Sequence, residues 1–526
     1  MAGNKTAYSV TDWYLANSST PAPAPHALTS DVNFYAVSDV HEITNQEELA
    51  YINTNSATLG GKYILLNDIA LNATADGFDA SGDWDTIGDS TNKFTGIFNG
   101  NGNKITGLWI NKTSDSYVGL FGYIDNSQIK NLGVEAEGVK GYYYVGGIAG
   151  YVNSSSITDS YSAGTISGTN QVGGIAGIVS SSVIADSYST ANVSGGDYTG
   201  GIAGYIYYNS NVADSYSTGN VSGTDQVGGI AGYVYYNSNV ADSHSTGNVS
   251  GNNFVGGIAG YVYYNSNVAD SHSTGNVSGS EYVAGIAGNV YTSSSVTNSY
   301  STGNISGAYV VGGIAGYVYD YSNVTNSYSM GNVHGNYNFV GGIAGYAWNS
   351  SIANSYSMGN VSGDDYTGGI VGYVTDNSSV TNSYSAGAIS GNNFVGGIAG
   401  MIPEIALGTP TVIGNNAAIN PSVTGINQVN RIIGVFGGGT AINNFALDSM
   451  TDGTNTLSDG GFINQYNSVA GTSKEETAFQ EAATYSGTIN GDGLGGLGWK
   501  FGNDDDNPWK IETGKNNGYP YLYWQD

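Results

Sequence analysis

The chain has 526 residues, a formal net charge of −29, 10% charged residues, 82 Gly, 43 Tyr and no Cys. Without cysteine it is neither a disulfide scaffold nor a cysteine metal site, and its acidic balance argues against nucleic acid and anionic membranes, which are bound by basic groups. No apolar stretch of about 18 residues occurs, so we expect no membrane insertion.

Residues 1–30 are predicted to form an N-terminal arm followed by a Pro-rich linker, since Thr20 to Pro25 alternates proline with small residues. The chain does not begin with a basic region and an apolar run, which favours a processed or recombinant form of an exported protein. We expect the arm to reach into a neighbouring molecule through apolar and aromatic side chains. These are Tyr8, Val10, Trp13, Tyr14 and Leu15.

Residues 31–117 are predicted to form an N-terminal cap and the first irregular rungs of a stack. Thr44 and Glu47, three residues apart, predict a capping box. The short helix that begins there carries Leu49 and Ile52 on one face. We expect this helix to cover the first rung.

Residues 118–400 contain a repeated unit of about 28 residues centred on Gly-Gly-Ile-Ala-Gly. A fixed period of this size predicts a stack in which each unit buries its apolar side against its neighbours. Each copy divides into three strand-length pieces separated by Gly and Asn, which predicts an all-β parallel β-helix, or β-solenoid, with three short strands per rung. The central isoleucines are Ile148, Ile175, Ile202, Ile230, Ile258, Ile286, Ile314, Ile343, Ile370 and Ile398.

The repeat becomes irregular after Ile398. Residues 401–470, with Pro403, Pro410 and Pro421, are predicted to form irregular rungs with an insertion. Residues 471–526 are aromatic, Gly-rich and nonrepetitive, which is typical of the closing cap that the end of a stack requires.

Two sets of aromatic residues recur with the period and are predicted to face solvent as surfaces for assembly or adhesion. The first tolerates both Tyr and His, and a buried core rarely accepts an unpaired histidine. It consists of Tyr161, Tyr188, Tyr216, His244, His272, Tyr300, Tyr328, Tyr356 and Tyr384. The second consists of Tyr207, Tyr208, Tyr235, Tyr236, Tyr263 and Tyr264.

A column of acids precedes the first set and changes to asparagine at Asn298. Asp186, Asp214, Asp242 and Asp270 are the candidate ligands if calcium binds there, but free exchange of Asp and Asn is typical of a solvated turn. We therefore favour the turn, with calcium as the one candidate cofactor. The acids recur with the period and the five His residues show no metal or triad spacing, so we expect no catalytic residues and no enzyme activity.

Asn-x-Ser and Asn-x-Thr sequences recur and are candidate glycosylation sites in an exported protein. The alternative is that most of them are simply the corner of the repeat. They begin at Asn17, Asn72, Asn192, Asn220, Asn248, Asn276, Asn304, Asn323 and Asn360.

The repeated Val-Gly-Gly-Ile-Ala-Gly-Tyr, followed by Asn-Ser-Tyr-Ser-Thr-Gly-Asn-Ile-Ser-Gly at 298–307, resembles the GLUG motif of large bacterial and archaeal surface proteins. The resemblance covers about 118–400 and implies a right-handed β-solenoid on a cell surface. It also implies adhesin-like proteins without catalytic residues in the repeat. No sorting signal or membrane anchor follows the array, which puts covalent wall attachment in doubt.

These features predict an extracellular structural protein, a subunit of a cell-surface filament, sheath or surface layer that assembles with copies of itself through its arm and its Tyr faces. The alternative is a cell-surface adhesin whose aromatic faces bind glycans of a host or biofilm. A polysaccharide-active β-helix enzyme is the third hypothesis, and it is weakened by the absence of Lys and Arg between Lys140 and Arg431.

Overall fold

The computed structural model describes residues 39–404, 410–453, 457, 470–487 and 496–525, together with the backbone of strands Asp12–Leu15 and Phe34–Val37. The described residues form an all-β parallel β-solenoid of about 13 turns, as the repeat predicts. Within the described part of the chain, none of the helices has the length and apolar character needed to cross a membrane.

Each rung contains five short strands rather than the predicted three. In a representative rung the strands are Ala203–Tyr207, Asn211–Ala213, Tyr216–Ser217, Val221–Ser222 and Asp225–Gly228. The chain bends between them at residues such as Tyr208, Asn209 and Asp214, which have φ angles of 60°, 58° and 49°. The sequence pattern predicts three longer strands, and these left-handed corners divide them into shorter ones.

Every strand of a rung pairs in parallel with the equivalent strand one rung later. One sheet has 11 strands, from Tyr143–Gly146 to Asn427–Asn430, and another has 12, from Phe121–Asp125 to Ile433–Phe436. A third has 15 strands, from Val40–Ile43 to Thr440–Ile442. A fourth sheet contains two neighbouring ladders, which meet at Gly133–Lys140 because this strand pairs with Tyr161–Ala163 and with Thr165–Ser167.

Four of the five strands in a rung place an aliphatic side chain in the interior of the coil, and the fifth places a serine such as Ser217 there. Ile206, Val212, Val221 and Val227 each have 1% or less of their surface exposed. The glycine that follows the central Ile-Ala is required where the chain passes close to the rung before it. A Cβ atom placed on Gly204 would lie 2.5 Å from the backbone nitrogen of Val172, so no other residue fits there.

Buried serines connect the rungs at two corners. The backbone nitrogen of Ser215 donates to Ser243 Oγ at 3.3 Å, and Ser243 Oγ donates to the backbone oxygen of Ala241 at 2.7 Å. A second serine series, which contains Ser210 and Ser238, repeats the link between rungs at 3.2 Å. Because each hydroxyl both accepts and donates, the corners need no water to satisfy their polar groups.

The N-terminal cap has two short helices, Gln46–Tyr51 and Ser56–Leu59. The first is capped one residue later than predicted, because Asn45 rather than Thr44 accepts from the backbone, from the nitrogen of Glu48 at 3.0 Å. Thr44 instead donates to the Glu48 carboxylate, so Glu47 is not the partner. The predicted apolar face is confirmed, since Leu49 and Ile52 are completely buried.

After the last rungs come strand Thr472–Lys474, the 3₁₀ helix Glu476–Gln480 and helix Ala482–Ser486. Residues 496–525, named here the C-terminal strap, lie along the side of the solenoid. Strands Trp509–Lys510 and Tyr521–Leu522 pair antiparallel within the strap. Two single 3₁₀ turns complete it, Asn516–Gly518 and Tyr523–Gln525.

Candidate binding surfaces

The predicted Tyr and His column forms a continuous stack of rings, named here the aromatic ladder. Its nine residues run from Tyr161 to Tyr384 on the outer side of the fourth sheet, because the serine after each ring points inward. Neighbouring ring centroids are 4.6–4.9 Å apart and the rings are within 8° of parallel. Parallel, in-register pairing places identical side chains above one another, which produces this stack.

The ladder is not uniformly exposed. Seven of its rings, from Tyr161 to Tyr328, are half-buried, but Tyr356 and Tyr384 have only 1% and 0% of their surface exposed. The prediction of an exposed column is therefore wrong for these two residues. They still face outward from the coil, and it is the C-terminal strap that covers them.

The strap contacts the ladder with aromatic rings and hydrogen bonds. Trp524 stacks beside Tyr300 and Tyr328, with centroids 6.0 and 5.5 Å apart, and Trp509 packs 6.0 Å from Tyr384. Tyr384 Oη donates to the backbone oxygen of Pro520 at 2.7 Å. Complete burial raises the pKa of Tyr384 well above its ordinary value, so the hydroxyl remains neutral and can donate.

The strap also binds the ladder through side-chain amides. Gln525 Nε2 donates to Tyr356 Oη at 2.7 Å, and Asn516 Nδ2 donates to Tyr384 Oη at 2.6 Å. Trp499 Nε1 donates to the backbone oxygen of Asn415 at 2.7 Å. The strap is thus fixed to successive rungs rather than lying loosely on them.

The acidic column beside the ladder occupies a left-handed turn, named here the turn column. Its residues have φ angles of 48–51°, a conformation that Asp and Asn adopt more readily than other side chains. The interpretation as a turn is confirmed. The column consists of Asp159, Asp186, Asp214, Asp242, Asp270, Asn298, Asn326, Asn354 and Asn382.

The structure adds little to the calcium hypothesis. Among the described residues there is no group of three or more His, Asp or Glu side chains placed to hold a metal ion. The pKa of Asp242 is raised, mainly by burial and also by its neighbours Asp270 and Asp214. Calcium binding along Asp186, Asp214, Asp242 and Asp270 stays a prediction.

The second predicted set lies on the 12-stranded sheet and its following corner, named here the tyrosine face. Tyr207, Tyr235 and Tyr263 point outward in one column, and Tyr235 stacks on Tyr263 with centroids 5.3 Å apart. In the next column Tyr208 and Tyr264 are 51% and 40% exposed. Tyr236 stacks between these two, 4.9 and 5.2 Å from them.

Two further columns broaden the tyrosine face. One contains Tyr205 and Tyr233, which alternate with the inward-facing residues of the same strands. The other was missed in the sequence, although an aromatic residue four positions before the central Ile is its signal. It occupies a left-handed corner, with φ angles of 50–58°, and contains Tyr144, Tyr198, Phe254, Tyr282, Phe339, Tyr366 and Phe394.

A shallow groove runs along the 15-stranded sheet, between the tyrosine face and the turn column. Its volume is about 660 Å³ and its floor includes Ala213, Ala241 and Ala269. Asn239 Nδ2 donates to Asn211 Oδ1 at 2.9 Å, and the next rung repeats this bond. The groove therefore offers small apolar side chains beside regularly spaced amides.

The candidate glycosylation sites differ in their surroundings. In the array the Asn192 Oδ1 accepts from the backbone nitrogen of Asn220 at 3.1 Å, and Asn220, Asn248 and Asn276 continue this ladder. Asn72 instead lies in an exposed loop, where its Oδ1 accepts from the hydroxyl and the backbone nitrogen of Thr74, at 2.9 and 3.0 Å. Glycosylation stays a prediction.

The predicted arm lies partly in the described backbone. Trp13, Tyr14 and Leu15 belong to strand Asp12–Leu15, which pairs antiparallel with Phe34–Val37. Tyr8, Val10 and the candidate glycosylation residue Asn17 are outside the described residues. The contact of the arm with a neighbouring molecule stays a prediction.

Comparison with known proteins adds two relatives, one solved structure and one family model. The chain is 42% identical over 79 residues, 15% of its length, to a provisionally named Gly-rich membrane protein of Evansella cellulosilytica. It is 30% identical over 130 residues, 24% of its length, to Halomucin of Haloquadratum walsbyi. These matches span 9% and 1% of the two relatives, so the chain covers only a small part of either.

A crystal structure from Bacteroides ovatus, provisionally assigned as an immunoglobulin A1 protease, aligns over 92% of this chain and 93% of its own, with 16% identity and a TM-score of 0.24. The family model described as "The GLUG motif" matches residues 141–167, 223–250 and 363–390. All three segments lie in the regular rungs. The regular rungs of this chain therefore contain the GLUG motif.

Proposed function

We propose that the chain is an extracellular structural β-solenoid, a rod that associates side by side with other copies through its tyrosine face. The names of the two relatives, a Gly-rich membrane protein and Halomucin, support a place at the cell surface. The rod has no Lys or Arg between Lys140 and Arg431, so broad faces can meet with few charges to desolvate.

The single observation that carries this proposal is the width of the tyrosine face. Four adjacent columns of rings cover one side of the coil, and large exposed apolar patches usually mark interaction sites. Tyrosine offers apolar area together with a hydroxyl that can remain hydrated or find a partner, which suits a reversible interface. The N-terminal arm would add a second contact between neighbours.

Replacement of four rings tests the proposal. In the variant Tyr205→Ser, Tyr207→Ser, Tyr233→Ser and Tyr235→Ser the face loses its centre, and we expect concentration-dependent association to disappear in sedimentation velocity experiments. Negative-stain images should then show single rods instead of bundles or sheets.

A matched control removes the same number of tyrosines elsewhere. Tyr188→Ser, Tyr216→Ser, Tyr309→Ser and Tyr337→Ser alter the ladder and two exposed corners but leave the tyrosine face intact. This control should associate like the wild type. A wild-type protein that stays monomeric at all concentrations, or a face variant that still assembles, would overturn the proposal.

Adhesion to glycans is the second candidate function, and the groove beside the turn column favours it. A neutral sugar chain could donate to and accept from the amides of Asn211, Asn239 and Asn267 while resting on the alanine floor. The test is a glycan array probed with wild-type protein and with Ala241→Leu, which fills the groove. Loss of a glycan signal in the variant would support adhesion, and an unchanged signal would contradict this groove as its site.

A further inference from the structure

The C-terminal strap divides the aromatic ladder into a covered half and an open half. The strap contacts begin at Tyr300, where Trp524 stacks, and continue to Tyr384. Among the described residues, the rings of Tyr188, Tyr216 and His244 have ring contacts only to their neighbours in the ladder. The two halves have the same stacking, so they differ mainly in what lies on them.

The turn column changes from aspartate to asparagine at the rung where the strap begins. In the open half all five turn residues are Asp and all are exposed: Asp159, Asp186, Asp214, Asp242 and Asp270. In the covered half the four turn residues are Asn, and none is exposed. Since Asp and Asn suit the left-handed turn equally well, the turn does not require this change.

The charge of the strap gives a physical reason for the change. The strap carries Asp504, Asp505 and Asp506, and Asp505 accepts from Asn326 Nδ2 at 3.4 Å. A carboxylate at residue 326 would face Asp505 in a partly dry contact, where like charges repel strongly. Nearby Tyr523 donates to Asp505 at 2.9 Å, and burial together with Asp505, Asp270 and Asp504 raises the pKa of Tyr523 to about 12. The neutral amide of Asn326 thus matches an acidic segment.

We propose that the open half of the ladder, from Tyr161 to His272, is a docking surface for a cationic, aromatic polypeptide segment of another molecule. The covered half demonstrates that the ladder accepts a polypeptide segment whose indole ring, that of Trp524, lies beside its own rings. The open half continues the same surface without interruption but replaces neutral amides with carboxylates. It is therefore complementary to Lys or Arg where the covered half is complementary to Asp.

The chain itself does not offer this segment in its repeats, because residues 141–430 contain no Lys or Arg. The partner must bring the positive charge. Repetition of one aromatic and one carboxylate group per rung also lets a single segment make several equivalent contacts, which raises its overall affinity. A polypeptide is favoured over a sugar chain because the occupant already present on this ladder is a polypeptide.

The probe is a fluorescent peptide with the sequence of residues 499–525 and the changes Asp504→Lys, Asp505→Lys and Asp506→Lys. We expect this peptide to bind the full-length chain, as measured by fluorescence anisotropy. Its affinity should fall about tenfold when the salt concentration is raised, and also when Asp214→Asn, Asp242→Asn and Asp270→Asn are introduced together. The unaltered acidic peptide should bind the wild type poorly and gain affinity for this triple variant.

A matched control keeps the net charge change but moves it to another sheet. Asp197→Asn, Asp225→Asn and Asp365→Asn lie in the 11-stranded sheet and should leave binding unchanged. Tyr216→Ala together with His244→Ala should also weaken binding about tenfold without unfolding the rod, because Ala417 already occupies this register.

Three results would overturn the proposal. The first is equal affinity for the cationic and acidic peptides. The second is an equal loss of peptide affinity in the Asp214, Asp242 and Asp270 variant and in its matched control. The third is binding of cellohexaose that displaces the peptide and is insensitive to the three Asp→Asn changes in the turn column. The last result would assign the open half to neutral glycans instead.

Discussion

The covered and open halves of the aromatic ladder share one backbone but present different surfaces. Ring spacing is 4.8–4.9 Å between Tyr161 and His272 and also between Tyr300 and Tyr384. The strap lies against one half, and exposed carboxylates border the other. The comparison teaches that the repeat determines the stack, whereas small departures from the repeat determine what the stack can bind.

Removal of the Trp509 indole from the strap should produce the largest difference in stability between the two halves. Trp509 is completely buried, 4.5 Å from Trp499 and 6.3 Å from Tyr356. We expect Trp509→Ala to cost about 3–5 kcal/mol of unfolding free energy in the C-terminal region, the usual cost of removing a buried large ring. Hydrogen exchange should show lost protection from Tyr356 onward and unchanged protection around Tyr188.

The matched control for this change is Trp109→Ala, because Trp109 is 43% exposed on the N-terminal rungs. Its effect on stability should stay within about 0.5 kcal/mol. If Trp509→Ala changed the unfolding free energy as little as Trp109→Ala, or if it reduced hydrogen-exchange protection equally in both halves, the strap would not stabilise the covered half locally.

A new carboxylate under the strap should have the next largest effect. Asn326 is 6% exposed and lies against Asp505, so Asn326→Asp should weaken strap docking by about 1–3 kcal/mol at neutral pH. Burial and Asp505 should raise the pKa of the new carboxyl above its unfolded value, so the folded state prefers the protonated form. The cost should therefore be absent below about pH 4 and grow as pH rises.

The reciprocal change in the open half provides the contrast. Asp270→Asn removes an exposed carboxylate, and urea denaturation should detect less than about 0.5 kcal/mol of change. A pH-independent loss in Asn326→Asp would mean that shape, rather than charge, explains the asparagines of the covered half.

The two halves also show which features of the fold and of the ladder can be predicted from the sequence. The period and the tight glycine corners predict the solenoid, and the exchange of Tyr with His predicts that the ladder faces outward from the coil. The burial of Tyr356 and Tyr384 could not be predicted, because their partners are 169 and 136 residues away in a nonrepetitive segment. Each rung has five strands rather than three because left-handed residues such as Asp214 divide the predicted strands.

Protonation of the two histidines should have the smallest effect, and it concerns the open half alone. Burial lowers the pKa of His244, and burial together with His244 lowers the pKa of His272. The folded state therefore prefers neutral rings, whereas the unfolded chain takes up protons below about pH 6.5. Stability should be unaffected above this pH and should decline as pH falls toward the lowered folded-state pKa values.

Replacement of both histidines by tyrosine, the predominant residue of the aromatic ladder, isolates the effect of histidine protonation. In His244→Tyr with His272→Tyr the ladder becomes tyrosine throughout, and the decline in melting temperature between about pH 6.5 and 5 should become shallower than in the wild type. Tyr300→His would add a histidine beside Trp524 and should steepen the decline in the rungs that the strap covers. Identical pH profiles for all three proteins would show that the rings titrate as if they were free in water, and the open half would then be more hydrated than the stacked geometry indicates.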